Sequence, residues 1–247
     1  MIKALVLRTA GTNCDQESVY ALKLAGAEPV VAHINALLQK KVTLDDIDLL
    51  IIPGGFSYGD DIAAGKILAN ELRYKLDSVI RPFIARGRRI IGICNGFQVL
   101  VKTGYLPGAV QDQTVTLSAN DSGRFQCHWV KLRREKSAAK WLNSTEVSWD
   151  LPIAHGEGKF IPMDDKVLAD LEKKGQVVFR YEGENPNGSV NRIAGICNAE
   201  GTIVGLMPHP ERHVLKTQHP EWTRTGHEGT DPVGLQFFKS AVEGLKK

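Results

Sequence analysis

Cys94 stands between two glycines in Gly92-Ile-Cys94-Asn-Gly96-Phe-Gln98, directly after the apolar run Arg89–Ile93. A nucleophile at a sharp strand-to-helix turn needs small neighbours, because its backbone must bend hard to expose the side chain. The N-terminus of the following helix favours negative charge, so a thiolate is stabilised there. Such a thiolate attacks an acyl carbon, and the oxyanion that forms needs N–H donors. One donor is the backbone N–H of the next residue, Asn95. The second is expected from a neighbouring strand-exit loop, and Gly54-Gly55 follows the apolar run Asp48–Ile52. Glycine there lets backbone approach a substrate closely. The bland reading of Cys94, a buried cysteine between two helix-breaking glycines, is outweighed by its frame and position.

Cys14 is the rival nucleophile, since it also lies between a predicted strand and a helix. It lacks flanking glycines, and Asn13 and Asp15 point to a cap-and-turn role. Cys127 and Cys197 fall in strand patterns and read as packing residues. A thiol nucleophile also needs a base. The pairs weighed here, His155-Gly-Glu157 and His209-Pro-Glu211, each place an acid two positions after a histidine. Residues i and i+2 of an extended segment share a face, so either pair could hold a carboxylate beside its imidazole. Pro210 pushes His209 toward extended geometry, which favours that pair without excluding the other. His33 reads as a strand-end histidine with a hydrogen-bond partner, and His213, His219 and His227 as parts of a polar tail. His209 and His213 have a helical metal-ligand spacing, but Pro210 and the missing third ligand argue against zinc. No metal site is expected.

Two phosphate-loop readings fail. Gly59 and Gly65-Lys66 enclose five residues rather than four, and Ile67 stands where Ser or Thr must bind magnesium. No GxGxxG follows a strand, so no cofactor is expected on this chain.

The elements that must position these residues alternate in the first half. Strands are predicted at Ala4–Leu7, Pro29–His33, Asp48–Ile52 and Arg89–Ile93. Helices are predicted from about Asp15 to Gly26, after Asp60 through about Leu72, and near Ser78–Ala85. Successive β-then-α units imply a doubly wound, mostly parallel α/β sheet with helices on both faces, whose ligands bind at the strands' carboxyl ends. The second half looks antiparallel. Thr114–Leu117 and Phe125–Leu132 flank the turn Asn120–Gly123, Ile193–Asn198 and Thr202–Met207 flank Ala199–Gly201, and a helix at Pro232–Leu245 closes the chain.

With 247 residues and no repeat, low-complexity segment or clear linker, residues 1–247 read as one domain. The 43% hydrophobic and 24% charged composition excludes collagen, coiled coil and disorder. Thirty-one basic against 28 acidic residues, a net charge of +3, leaves no nucleic-acid or membrane footprint. The cluster Lys131–Lys136 reads as a solvated face. Four scattered cysteines without CxxC argue for a reducing compartment. The N-terminal apolar run is too short for a signal peptide and no run spans a membrane, so a cytoplasmic location is expected.

The Gly54-Gly55 loop, the Gly92–Gln98 elbow and Pro208-His209-Pro-Glu211, in this order, resemble the triad-type (class I) glutamine amidotransferases over nearly the whole chain. Within that family, Gly55–Asp60, Gly11–Asp15, Ala154–Gly158 and Pro208–Arg212 are most similar to the glutaminase subunits of purine biosynthesis. The resemblance implies Cys94 as nucleophile, His209 as base and Glu211 as its orienting carboxylate. It implies Gly55 and Asn95 as the oxyanion hole, and Gly54 and Gln98 as residues holding L-glutamine. It further implies that the partner is a synthetase subunit, which uses formylglycinamide ribonucleotide and carries ATP and magnesium, and it allows for a small bridging subunit. Lys216–Asp231, with Trp222-Thr-Arg224, is longer than the resemblance leads one to expect and has partner docking as its candidate role. Two other classes stay open: a cysteine hydrolase or peptidase on the same scaffold, which would not need Gln98, and a non-catalytic docking subunit.

Overall fold

A computed structural model describes residues 1–108, 113–224 and 230–245. Strands β1 (Lys3–Arg8), β2 (Glu28–His33), β3 (Leu49–Ile52) and β4 (Arg89–Ile93) are parallel to one another, in the order β2-β1-β3-β4. β3 and β4 are buried along their whole length, the pattern of strands covered on both faces. Helix α1 (Asp15–Leu24) links β1 to β2, and α2 (Ile34–Leu38) follows β2. Next come α3 (Lys66–Lys75) and α4 (Asp77–Ala85), and α5 (Asn95–Thr103) leaves β4 directly.

The second half adds β5 (Val115–Ser118), β6 (Gln126–Arg134), β7 (Ser148–His155), β8 (Lys159–Pro162), β9 (Val177–Glu182), β10 (Ile193–Cys197) and β11 (Ile203–Leu206). Its helices are α6 (Asp165–Lys173) and the closing α7 (Val233–Glu243). The nine-stranded sheet runs β2-β1-β3-β4-β11-β10-β9-β6-β7, with β11 parallel to β4 and antiparallel to β10, as the Ala199–Gly201 turn suggested. Helices cover both faces; α1 packs with α7 and α3 with α5. One apolar core runs beneath them, from Leu5 and Phe97 to Trp149, Phe179 and Phe237. Among the described residues no helix is long and apolar enough to cross a membrane.

One expected pairing is wrong. The turn at Asn120–Gly123 forms, with the Gly123 N–H donating to the Asn120 carbonyl at 2.9 Å, but β5 and β6 do not pair across it. β5 joins β8 in a separate two-stranded sheet, and β6 lies between β9 and β7. The Asn120 side chain explains this, because it donates to the Arg124 and His155 carbonyls and accepts the Gly158 N–H. The turn is thereby pinned to the β7–β8 connection. β7 escapes a sequence reading because Pro152 interrupts it; it is an edge strand, where a missing N–H is tolerated. α6 does carry a legible signal, as Asp164 caps it by accepting the Val167 N–H at 2.8 Å. Cys197 is buried as expected, whereas Cys127 is exposed on β6.

Candidate active site

β4 runs straight into α5 through Cys94, whose φ of 51° lies in the left-handed region that disfavours any side chain. Such strain costs about 1–3 kcal/mol and persists only where the surroundings impose it. Here the Cys94 N–H is tied to the Leu206 carbonyl of β11 at 2.8 Å. The flanking glycines serve close packing: a Cβ at Gly96 would overlap the Ile52 carbonyl oxygen, and one at Gly92 would lie 2.5 Å from the Gly96 oxygen. Glycine at both positions therefore lets α5 sit directly on β3 and β4. The Cys94 Sγ lies 3.6 Å from the Ala154 carbonyl, and Cys94 lines two adjoining cavities of about 220 and 200 Å³.

Gly55 lines both cavities as well. Its φ is 141°, and a Cβ there would lie 2.7 Å from the Gly11 carbonyl oxygen and 2.8 Å from the Asn13 nitrogen. Only glycine fits between these two backbones. An isolated antiparallel bridge between Thr12 and Gly55 uses the Phe56 and Asn13 N–H groups, leaving the Gly55 N–H without a backbone acceptor among the described residues. Asn95, first residue of α5, has an equally unspent N–H. Gly54 packs under His209, where a Cβ would lie 2.8 Å from Cε1.

After β11 the chain turns so that the His209 N–H donates to the Pro152 carbonyl on edge strand β7 at 2.9 Å. Pro210 opens a short 3₁₀ turn, which brings Glu211 Oε1 to 2.6 Å from His209 Nδ1. Both side chains are buried. Burial alone would depress the His209 pKa, but Glu211 and then the neighbouring Cys94 outweigh it and hold it well above the ordinary histidine value. His209 Nε2 and Glu211 Oε2 are buried without hydrogen-bond partners among the described residues. An imidazole whose Nδ1 is held by a carboxylate has Nε2 for proton transfer, which is the arrangement acyl transfer by a thiol requires.

His155 is built differently. Its Nδ1 meets Asn120 Oδ1 at 3.1 Å, and Glu157 is not its partner. Burial, helped by the nearby His209, drives its pKa down to about 4. Glu157 lines the larger cavity together with Gln98. Gln98 Nε2 donates to the Glu157 carbonyl at 2.5 Å and its Oε1 accepts from Asn95 Nδ2 at 2.9 Å.

Several residues outside the expected triad, oxyanion hole and glutamine-holding set also reach the site. Cys14 directly precedes α1 but makes no side-chain cap bond, and its thiol faces the site: Sγ lies 4.0 Å from His209 Nδ1 and accepts from Arg212 Nη2 at 3.2 Å. Burial pushes the Cys14 pKa up despite these neighbours. Asp60 accepts from Asn95 Nδ2 and the Gly65 N–H, both at 3.1 Å, and burial raises its pKa. Half-exposed Phe56 and Phe125 stack at 6.4 Å and border both cavities. Consecutive left-handed residues at Tyr58, Gly59 and Asp60 accompany this loop, and only Gly59 advertises that conformation in the sequence.

His33, His213 and His219 line neither cavity at Cys94. His33 Nδ1 accepts the Asn35 N–H at 3.2 Å, the partner expected of it. His213 and His219 are not in a polar tail. They are buried against Trp129 with ring centroids at 5.1 and 4.8 Å, which also removes His213 from any metal pair with His209. His227 and part of the segment Lys216–Asp231 lie outside the described residues; Lys216–Gln218 form a 3₁₀ turn.

Residues 1–243 match the CobB/CobQ-like glutamine amidotransferase domain. The chain is 45% identical to the phosphoribosylformylglycinamidine synthase subunit PurQ of Dehalococcoides mccartyi, over 100% of this chain and 98% of that one. It is 44% identical to the PurQ subunit of Treponema denticola, over 86% and 88% of the two chains. Among solved structures, PurLQS from Thermotoga maritima superposes with a TM-score of 0.79 at 36% identity, over 99% of each chain. A glutamine amidotransferase from Thermotoga maritima, at 16% identity and a TM-score of 0.57 over 99% and 97% of the two chains, shares the fold. The chain belongs to the CobB/CobQ-like glutamine amidotransferase family.

Proposed function

We propose that this chain is the glutaminase subunit of a phosphoribosylformylglycinamidine synthase, which hydrolyses L-glutamine and passes ammonia to a synthetase subunit in purine biosynthesis. The observation that carries the chemistry is the buried His209–Glu211 pair at 2.6 Å beside the strained Cys94. The full-length likeness to PurQ subunits supports the choice of synthase.

The Cys94 thiolate attacks the side-chain amide carbon of glutamine. The N–H groups of Gly55 and Asn95 hold the oxyanion, each good donor lowering the barrier by roughly 3–4 kcal/mol. His209 then gives its Nε2 proton to the departing nitrogen, ammonia leaves, and a glutamyl thioester remains on Cys94. The same nitrogen next takes a proton from water, whose oxygen attacks the thioester and releases glutamate. Glu211 holds Nδ1–H throughout, so that Nε2 is the nitrogen that exchanges protons. Gln98 braces the Glu157 backbone and Asn95 at the cavity in which glutamine lies. Gly54 acts beneath the imidazole.

Free ammonia in water becomes ammonium and loses its nucleophilicity, so the product passes directly to the partner. By analogy with the Thermotoga maritima PurLQS assembly, the partners are a small bridging subunit and the synthetase. ATP and magnesium belong to the synthetase, and this chain carries no cofactor of its own. Residues 1–247 act as one amidotransferase domain in the cytoplasm. The test is Cys94→Ala in the assembled complex. Glutamine-dependent synthesis should be lost while ammonia-dependent synthesis continues; retained glutaminase activity would remove Cys94 from the mechanism.

A further inference from the structure

Cys14, His209 and Glu211 offer three different donor atoms within 4.8 Å of one another, all on buried residues. Two of them already belong to the proposed triad, whereas the mechanism leaves the Cys14 sulfur unused. A second, independent feature marks the cluster. Glu211 is 1% exposed, and its Oε2 has no hydrogen-bond partner among the described residues. A buried carboxylate oxygen in that state has acceptor capacity that the protein does not satisfy.

We propose that Cys14 Sγ, His209 Nδ1 and a Glu211 carboxylate oxygen form an inhibitory site for a thiophilic divalent cation of the zinc type. The donor set suits such a metal: one thiolate, one imidazole and one carboxylate, with a fourth position left for water. Bond lengths of about 2.0–2.3 Å place tetrahedral donors about 3.4–3.6 Å apart. The Sγ–Nδ1 separation of 4.0 Å must close slightly, and the Nδ1–Oε1 pair at 2.6 Å must open. The cavity of about 200 Å³ beside Cys14 and His209 has room for the water ligand.

Charge balances as well. Binding takes one proton from Cys14 Sγ and one from His209 Nδ1, and both pass to solvent. The thiolate and the Glu211 carboxylate then offset the two positive charges of the metal. Arg212 is the cation that donates to Cys14 and opposes the metal; its side chain is 35% exposed and has Glu17 as an alternative partner at 3.9 Å. A metal on Nδ1 confines the ring's remaining proton to Nε2, so the nitrogen facing Cys94 stops being a base.

Metal binding stands apart from the glutaminase reading; only the inhibitory consequence rests on it. The binding test uses Co²⁺ alone, in the full-length chain carrying Cys94→Ala. A thiolate-to-cobalt charge-transfer band should develop and saturate at one equivalent. It should be absent from the Cys94→Ala/Cys14→Ser double variant, which keeps nearly the same side-chain size. No band in the first protein, or the same band in the second, overturns the site. For the consequence, zinc is titrated into the assembled complex during glutamine-dependent turnover. Cys14→Ser should raise the zinc needed for half-inhibition at least tenfold, and an unchanged requirement would overturn the inhibitory role.

Discussion

His209-Pro-Glu211 and His155-Gly-Glu157 have the same residue spacing, and both histidines are buried, yet the two pairs end in opposite states. In the first, the 3₁₀ turn started by Pro210 folds the carboxylate onto Nδ1 at 2.6 Å, and the ring pKa rises. In the second, Asn120 takes the Nδ1 position, Glu157 faces the larger cavity, and the pKa falls to about 4. Burial acts against protonation in both. A carboxylate in contact reverses its effect and a neutral amide does not. His155 thus holds the Asn120 turn against the β7–β8 connection, while His209 has a carboxylate on Nδ1 and, among the described residues, no hydrogen-bond partner on Nε2.

The comparison can be broken most severely through the histidines. His209→Ala should cost several orders of magnitude in glutamine-dependent turnover, as removal of a triad base does. His155→Ala should leave turnover within about tenfold, since it removes no group that reaches the proton being transferred. Steady-state kinetics of the two variants in the complex decide the matter, and a reversed ranking would exchange their roles. The carboxylates sharpen it next. Glu211→Gln should lower kcat by about 10³–10⁴-fold through loss of tautomer control. Glu157→Gln should change it by no more than about tenfold. Equal losses in the two variants would mean that position beside Nδ1 is not what matters.

The smallest effect is one of stability. Because the His155 pKa is lowered to about 4 in the folded chain, the unfolded chain binds the extra proton more readily below about pH 6.5. Stability should therefore fall as pH drops from about 6.5 to 4, by at most about 3 kcal/mol from this residue. Denaturant melts of the parent and of His155→Gln should show the acid-side slope becoming shallower in the variant. Parallel pH profiles would contradict a buried neutral His155.

Much of the fold is legible in the chain because parallel strands covered on both faces leave unbroken apolar runs, as at Leu49–Ile52 and Ile90–Ile93. The β10–β11 hairpin is legible for a related reason, with two apolar runs joined by a short polar turn. The pairing of β5 with β8 is not, because it depends on where one side chain, Asn120, spends its hydrogen bonds. His213 and His219 lie in a polar stretch whose burial against Trp129 no local pattern records. Residues such as Asp60, Phe56 and Phe125 carry no spacing signal, since each borders the cavity from its own loop.

Taken alone, the amino-acid sequence determined the elbow at Cys94, the glycine loop at Gly54-Gly55 and the two His-x-Glu candidates, because each is a short-range constraint on backbone shape. The tertiary structure decided which imidazole has a carboxylate partner, and it brought Cys14, just before α1, to within 4.0 Å of His209 Nδ1. Contacts between residues nearly two hundred positions apart follow from strand order and register, and those emerge only when the whole sheet packs around its core.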